Sequence, residues 1–325
     1  MSLRIHVLGA GAIGGLFAAR LSRTADICLL SRTVPDSSAK PFQALVLQGS
    51  DLPGTTELVH PGTTGLVHPS ITGLVHVELP CESVSGTTPI DHLFLTTKSY
   101  DAVAALDSVR HRLTSHSQIY LFQNGLGSQV TLLQRYPELC FWGATTTEGA
   151  NRPDRHHIVH AGRGQTLIGP IKQNSTRDIN DILTALREAG FDTEYSTDIW
   201  RHLWRKLTVN CGINPYTALL NCLNGEILTK PLFSSTIDPL TVELETIMGA
   251  AGFPENRESI RQRIIDVATA TAENISSMLQ DVRHNKSTEI LAINGFICEF
   301  AKQHRLDCRV NESLTQQVLA LHPES

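Results

Sequence analysis

A doubly wound α/β sheet followed by an all-helical C-terminal domain is the fold predicted for this chain of 325 residues. Three observations predict it. Strand-like apolar runs alternate with helical periodicity up to about residue 197, the grammar of a parallel sheet covered by helices. A glycine-rich turn, Gly9-x-Gly11-x-x-Gly14, joins the first strand to the first helix, as in a Rossmann-type unit. Beyond Thr197 strand signals vanish, and amphipathic helical segments run to the end. Residues 1–197 therefore read as one domain and 198–325 as a second, a length that suits two domains at about 150 residues each.

The elements follow in order. Arg4 to Leu8 form a short apolar strand, a helix continues to about Ser22, and DICLL is the second strand. HLFLTT reads as a buried strand, SYDAVAALDSVRHRL as a helix, QIYLFQ and FWGATTT as two more strands. In HHIVHAGRGQTLIG two short strands separated by Gly suggest a hairpin closing the domain, before a helix around Ile179 to Ala189 and the strand FDTEYS. Asp198 can N-cap the helix that opens the second domain. Further helices are expected over Pro239 to Met248, Arg257 to Val282 and Ser287 to His304.

One segment departs from this pattern. ELVHPGTT, GLVHPSIT and GLVHVELP, residues 57–80, repeat an L-V-H core every eight residues. Three copies are too short for a solenoid, and their period suits a duplicated strand and turn in a surface insertion. His60, His68 and His76 invite a metal reading, but no Cys or carboxylate is spaced among them as a ligand set requires, so no metal is expected.

Composition narrows the function. The formal charge is −5, from 27 Lys and Arg against 32 Asp and Glu, without a long single-sign run. That balance points away from nucleic acid and anionic membranes and towards a small-molecule substrate. Seven scattered cysteines without a C-x-x-C fit reduced thiols in the cytoplasm better than a disulfide framework. The run after Arg4 looks superficially like a signal peptide, yet Gly and Ala stand where a Leu-rich core would be expected. No other apolar run approaches the roughly 18 residues of a membrane span.

Chemistry is concentrated in a few motifs. In the Gly9–Gly14 fingerprint the first glycine permits the tight turn, the second lets the backbone approach a pyrophosphate, and the third allows close helix packing. Free N–H groups at the helix start attract phosphate. After the second strand, where an NAD enzyme usually offers Asp or Glu to the ribose, the chain reads Ser31-Arg32; a cation there suits the 2′-phosphate of NADP, the other reading being an exposed loop arginine. Lys98 and Asn124 follow strands at their carboxyl ends, where open α/β sheets bind ligands, although a solvated lysine and an ordinary Asn-Gly turn are the plainer readings of each. In HLWRKLTVNCGINPYTALLNCLNGE, Lys206, Asn210 and Asn214 recur every four residues on a helix otherwise occupied by Trp204, Leu207, Val209 and Ile213, so three polar heads share one face.

The segments GAGAIGG, TTK ending at Lys98, FQNG, GATTTEGA, the Lys206 helix, ATAENISSMLQD and STEILAINGF, in order from about residue 3 to 310, resemble the 2-dehydropantoate 2-reductase (ketopantoate reductase) family. That resemblance implies NADPH-dependent reduction of 2-dehydropantoate to (R)-pantoate in pantothenate (vitamin B5) biosynthesis, on the route to coenzyme A, by a monomer or homodimer. It implies Lys206 and Glu289 as catalytic residues, and Asn124, Asn210, Asn214, Asn224 and Ser277 as substrate-binding residues. On the cofactor side it implies Gly9, Ala10, Gly11, Ala12, Ile13 and Gly14, together with Arg32, Lys98 and Ala150, and again Asn124 and Glu289. The LVH repeat lengthens a region that the family usually keeps short.

The residues themselves suit that chemistry. A 2-oxo acid becoming a 2-hydroxy acid takes hydride at its carbonyl carbon while the oxygen becomes an alkoxide that needs a proton. Lys206 can stabilise that charge and then protonate it. The amides at 210 and 214 can bind polar groups without adding charge, and Glu289 can accept from the substrate hydroxyl or from Lys206. The alternatives are a related reductase of another branched 2-oxo acid and a non-catalytic NADP-sensing protein; the latter would not require Lys206, Asn210, Asn214 and Glu289 together.

Overall fold

The computed structural model describes residues 3–32, 42–48, 74–172 and 177–321. Two compact units divide it: Met1–Gln123 with Thr131–Ile199, and Asn124–Val130 with Trp200–Ser325. The division after Ile199 lies two residues from the expected boundary, and the segment Asn124–Val130 clusters with the helical unit.

The first unit is built on β1 (Arg4–Leu8), α1 (Ala12–Leu21), β2 (Asp26–Ser31), β3 (Phe42–Gln48), β4 (Leu74–Ser83), β5 (Ile90–Leu95), α2 (Ala102–Val109) and β6 (Leu113–Leu121). It continues through β7 (Cys140–Thr146), β8 (Gly149–Asn151), β9 (His157–Gly162), β10 (Gln165–Pro170), α4 (Asn180–Glu188) and β11 (Asp192–Tyr195); α3 (Gly127–Arg135), which precedes β7, belongs to this unit from Thr131 on. The sheet order is β11-β10-β7-β6-β5-β1-β2-β4-β3-β9-β8, and β1 pairs in parallel with both β2 and β5. The strand order reverses at β1: the chain leaves it towards β2 and later returns to its other edge as β5. Ligands of open α/β sheets bind outside the strand carboxyl ends at such a switch point.

Apolar alternation accounts for the core. Ile5, Val7, Leu29 and Phe94 are buried on these strands, and Phe17 of α1 packs its ring 5.0 Å from Phe122 and 4.6 Å from Phe191. Small residues bring α1 close to the sheet: a Cβ added at Gly15 would lie 2.7 Å from the Ile158 side chain.

Two expectations for this unit are corrected. β9 and β10 do not pair with each other: β10 pairs antiparallel with β7, and β9 pairs antiparallel with β8. The arm 140–151 thus lies against the arm 157–170 as one long bent hairpin, and the glycines after β9 mark the bend, where a Cβ at Gly164 would lie 2.2 Å from the Thr147 backbone. The third LVH copy, expected in a surface insertion, runs as β4 from Leu74, pairing with β2 and β3 and burying Val77 and Leu79. Its alternation serves the core because residues two apart share a face. The first two copies, with His60 and His68, lie outside the described residues.

The second unit contains α5 (Ile199–Leu220), α6 (Pro231–Ala250), α7 (Arg257–Ala270), α8 (Ser277–Arg283), α9 (Asn294–His304) and α10 (Arg309–Leu319). The single helix expected from Arg257 to Val282 is two, because Ser276 starts α8 as an N-cap, accepting from the Leu279 N–H at 3.1 Å. The helix expected from Ser287 begins instead at Asn294, after a 3₁₀ turn over Ile290–Ala292. Trp204 anchors α5, its ring 6.1, 5.8 and 5.5 Å from those of Phe253, Phe296 and Phe300. Among the described residues no helix is long and apolar enough to cross a membrane.

Candidate active site

The turn after β1 has the shape its glycines anticipate. Gly9 has φ +104°, a left-handed value, and a Cβ there would lie 2.5 Å from the Thr97 backbone nitrogen. At Gly14 a Cβ would meet the Gly9 carbonyl oxygen and the Thr96 hydroxyl at 2.3 Å each, whereas at Gly11 the nearest atom is 3.9 Å away. The first and third glycines therefore serve close packing, while the second, exposed, leaves space above the turn. Thr96 Oγ1 donates to the Gly9 carbonyl at 2.8 Å, latching the turn to the carboxyl end of β5. Gly11 caps α1 without a side chain, so the N–H groups of Ala12, Ile13 and Gly14 open the helix with no side-chain acceptor. That is a fitting seat for a pyrophosphate. Ala10 and Ile13 pack partly against the core beneath it.

Of the remaining cofactor-side candidates, Arg32, Lys98 and Ala150 lie in the same unit, whereas Asn124 and Glu289 lie in the other. Arg32 is exposed immediately after β2. Lys98 is half-buried, preceding the 3₁₀ turn Ser99–Asp101. Ala150 is half-buried on β8 opposite His160 of β9, and beside it the buried Glu148 and His160 side chains pair at 2.5 Å. This buried pair, which the sequence reading missed, ties the two arms together at their bend; its signal was an ionisable residue on each arm, Glu148 between β7 and β8 and His160 within β9.

The candidate catalytic and substrate residues all lie in the other unit. Asn124 Nδ2 donates to Glu289 Oε2 at 3.2 Å. The adjacent Gly125 has φ +78°, and a Cβ there would lie 2.0 Å from the Ala292 carbonyl oxygen, so the Asn-Gly turn is seated directly on the segment after Glu289. The Leu126 N–H donates to the same carbonyl at 3.2 Å. Glu289 is buried. Burial pulls the Lys206 ammonium down to about 8, and the Glu289 charge works against that fall. Lys206, Glu289 and Asn124 are therefore brought together.

Asn210 and Asn214 follow Lys206 on α5, half-buried and buried respectively, and among the described residues neither amide head has a hydrogen bond. Asn224 and Ser277 differ from them. The Asn224 amide donates to Thr271 Oγ1 at 2.9 Å, a commitment within the protein, and Ser277 is exposed on α8. Its neighbour Ser276 is the buried serine, 2.6 Å from Thr217 Oγ1, which itself donates to the Asn214 carbonyl at 2.8 Å.

The support of α5 was also missed. Pro215 lies inside the helix and has no N–H to offer the Cys211 carbonyl. Asn294 Nδ2 donates to that carbonyl at 3.4 Å and to Asn311 Oδ1 at 3.0 Å. Asn311 Nδ2 in turn donates to Glu243 Oε2 at 2.9 Å, and Glu243 Oε1 accepts the Val310 N–H at 2.7 Å. An interior proline in the sequence was the readable sign that some side chain had to supply this donor.

Among the described residues one group has metal-ligand chemistry: His6, Cys28 and Glu82 place ligand atoms within 4.8 Å of one another. Glu82 is committed to Arg112 at 2.5 Å and Arg4 at 2.8 Å, and two guanidinium groups oppose a further cation. Burial, with Arg4 next, drives His6 down to about 4, so it adds no charge near neutrality.

A Rossmann-type dinucleotide-binding unit, followed by a helical unit that gathers a lysine, a carboxylate and amides, defines an oxidoreductase. The family described as Ketopantoate reductase PanE/ApbA matches residues 5–173, and Ketopantoate reductase PanE/ApbA C terminal matches 198–322. The chain belongs to this ketopantoate reductase family. It is 30% identical over 320 residues to a 2-dehydropantoate 2-reductase of Vibrio cholerae serotype O1, covering 98% of each. It is also 30% identical over 318 residues to one of Archaeoglobus fulgidus, covering 97% of this chain and 96% of the relative. Among solved structures, a PanE/ApbA family ketopantoate reductase from Ralstonia eutropha JMP134 superposes with a TM-score of 0.80 at 20% identity, covering 99% of each chain. D-mandelate dehydrogenase with NADH and anilino(oxo)acetate gives 0.83 at 17%, again covering 99% of each. These two likenesses show the fold alone.

Proposed function

We propose that this chain reduces 2-dehydropantoate to (R)-pantoate with NADPH, in the cytoplasm, as a step of pantothenate biosynthesis. The observation that carries the reading is the Lys206–Glu289–Asn124 cluster on the unit that also bears Asn210 and Asn214. The residues from Gly9 to Gly14 would hold the pyrophosphate, with Lys98 and the backbone at Ala150 on the same side and Arg32 at the 2′-phosphate. Bound there, the cofactor supplies a hydride to the carbonyl carbon.

The chain's own residues do the rest. Lys206, protonated near neutrality with a pKa of about 8, stabilises the charge growing on the carbonyl oxygen and then gives up its Nζ proton to it. Glu289 keeps Lys206 charged despite its burial and orients the Asn124 amide. The heads of Asn210 and Asn214, not hydrogen-bonded among the described residues, bind the polar groups of the substrate. Asn224 and Ser277 are assigned to the substrate by resemblance; Ser277 reaches it from the exposed start of α8, and Asn224 would use its side-chain Oδ1, which is buried without a partner among the described residues.

The test is to follow NADPH absorbance with 2-dehydropantoate beside a panel of other 2-oxo acids. The expected result is a kcat/KM that favours 2-dehydropantoate. Preference for another 2-oxo acid, or no turnover of any, overturns the assignment.

A further inference from the structure

Cys298 on α9 and Cys308, the residue that opens α10, bring their Sγ atoms to 3.6 Å. We propose that these two thiols are a reversible disulfide site whose co-reactant is a low-molecular-weight disulfide of the glutathione type.

The geometry requires little motion. A disulfide bond is about 2.05 Å long, so the sulfurs must approach by roughly 1.5 Å. The intervening chain leaves α9 at Arg305, with φ +58°, and residues up to Cys308 lie outside both helices, tied by the Leu306 N–H to the Ala301 carbonyl and by the Cys308 carbonyl to the Glu312 N–H, each at 2.9 Å. The two sulfurs also differ in access: Cys298 is half-buried and Cys308 is buried. An incoming disulfide therefore reaches Cys298 first and leaves Cys308 as the resolving thiol.

Electrostatics selects the same sulfur. The contact with Cys308 holds Cys298 below the usual thiol range, against burial, with support from Thr315 and opposition from Glu312 and Glu243. Burial pushes Cys28 up to about 12 and raises Cys81, Cys211 and Cys222. Thiolate, the reactive form, is thus favoured at Cys298.

The exchange balances in two steps. The Cys298 thiolate attacks one sulfur of the small disulfide, whose S–S bond breaks; a mixed disulfide forms and one small thiolate leaves, taking up the proton that Cys298 released. Cys308 then loses its proton and attacks the Cys298 sulfur, and the second small thiol leaves with that proton. Two protein thiols are oxidised and one small disulfide is reduced to two thiols. The new bond lies one helical turn beyond Asn294 and three residues before Asn311, bracing the hydrogen bond between those two side chains. None of this depends on the identity of the substrate.

The experiment equilibrates the full chain across a series of oxidised-to-reduced glutathione ratios, quenches with acid, alkylates free thiols and maps peptides by mass. Expected is an intramolecular Cys298–Cys308 link, lighter by two hydrogens, that grows with the ratio and disappears with dithiothreitol, while the other five cysteines stay alkylated. The linked form should also melt at higher temperature. Cys308→Ser, close to isosteric, should accumulate a glutathione adduct on Cys298, and Cys298→Ser should lose both adduct and link. Full alkylation of both cysteines at the most oxidising ratio, a link between other cysteines, or a Cys308→Ser chain that gathers no adduct overturns the proposal.

Discussion

Asn124 donates to Glu289 at 3.2 Å across 165 residues of chain. The amide follows a sheet strand and the carboxylate precedes α9, yet both belong to the same compact unit. The carboxylate that accepts this bond also opposes the loss of charge at Lys206.

Lys206→Ala should lower kcat by about 10² to 10⁴, the usual range for removing a general acid, with little change in NADPH binding. If Lys206 is the general acid, its protonated form is the active one in the parent protein. Activity should accordingly be flat below pH 8 and fall above it, since the Lys206 pKa is about 8. Steady-state kinetics against pH, with NADPH binding followed by fluorescence, reads both; a near-normal kcat would remove the lysine from this role.

Glu289→Gln keeps the shape and removes the charge. Because Glu289 raises the Lys206 pKa, its loss should move the alkaline limb to lower pH and reduce the rate at neutrality. A limb that stays in place would show that the two groups are not coupled during turnover.

Arg32→Ala tests the choice of cofactor. If Arg32 meets the 2′-phosphate, Kd for NADPH should rise while Kd for NADH changes much less, because only the former carries that group. Equal losses for both would refute the contact.

Asn294→Leu deletes the donor shared by the Cys211 carbonyl and Asn311 Oδ1. Leaving a buried acceptor unpaired costs about 1–3 kcal/mol, so with two acceptors affected urea unfolding should show a loss of about 2–6 kcal/mol. If the Gly9–Gly14 turn of the other unit holds the cofactor as proposed, NADPH binding should be unchanged. An Asn294→Leu chain as stable as the parent would mean that the Pro215 gap in α5 needs no partner.

What the sequence determined by itself is whatever depends on neighbours along the chain. Period-two and period-3.6 apolar spacing marked β1, β2, β5 to β7 and the succession of helices, because one face of each element must be buried. The glycine fingerprint predicted the tight turn at Gly9 and the close packing at Gly14, since only a missing Cβ permits either. Four-residue spacing alone put Lys206, Asn210 and Asn214 on one face of α5. Tertiary structure decided what depends on distant partners. The apolar alternation in HIVHAG and QTLIG does not say which strand each will face, and they pair with β8 and β7 rather than with each other. Leu74 to Pro80 repeats the pattern of a surface hairpin, yet pairing with β2 and β3 buries it. The depressed pKa of Lys206, the bond from Asn124 to Glu289 and the donor that Asn294 lends to Cys211 join residues 83 to 165 positions apart. Burial and hydrogen bonding act through space, and no local pattern in a chain encodes which remote group will arrive there.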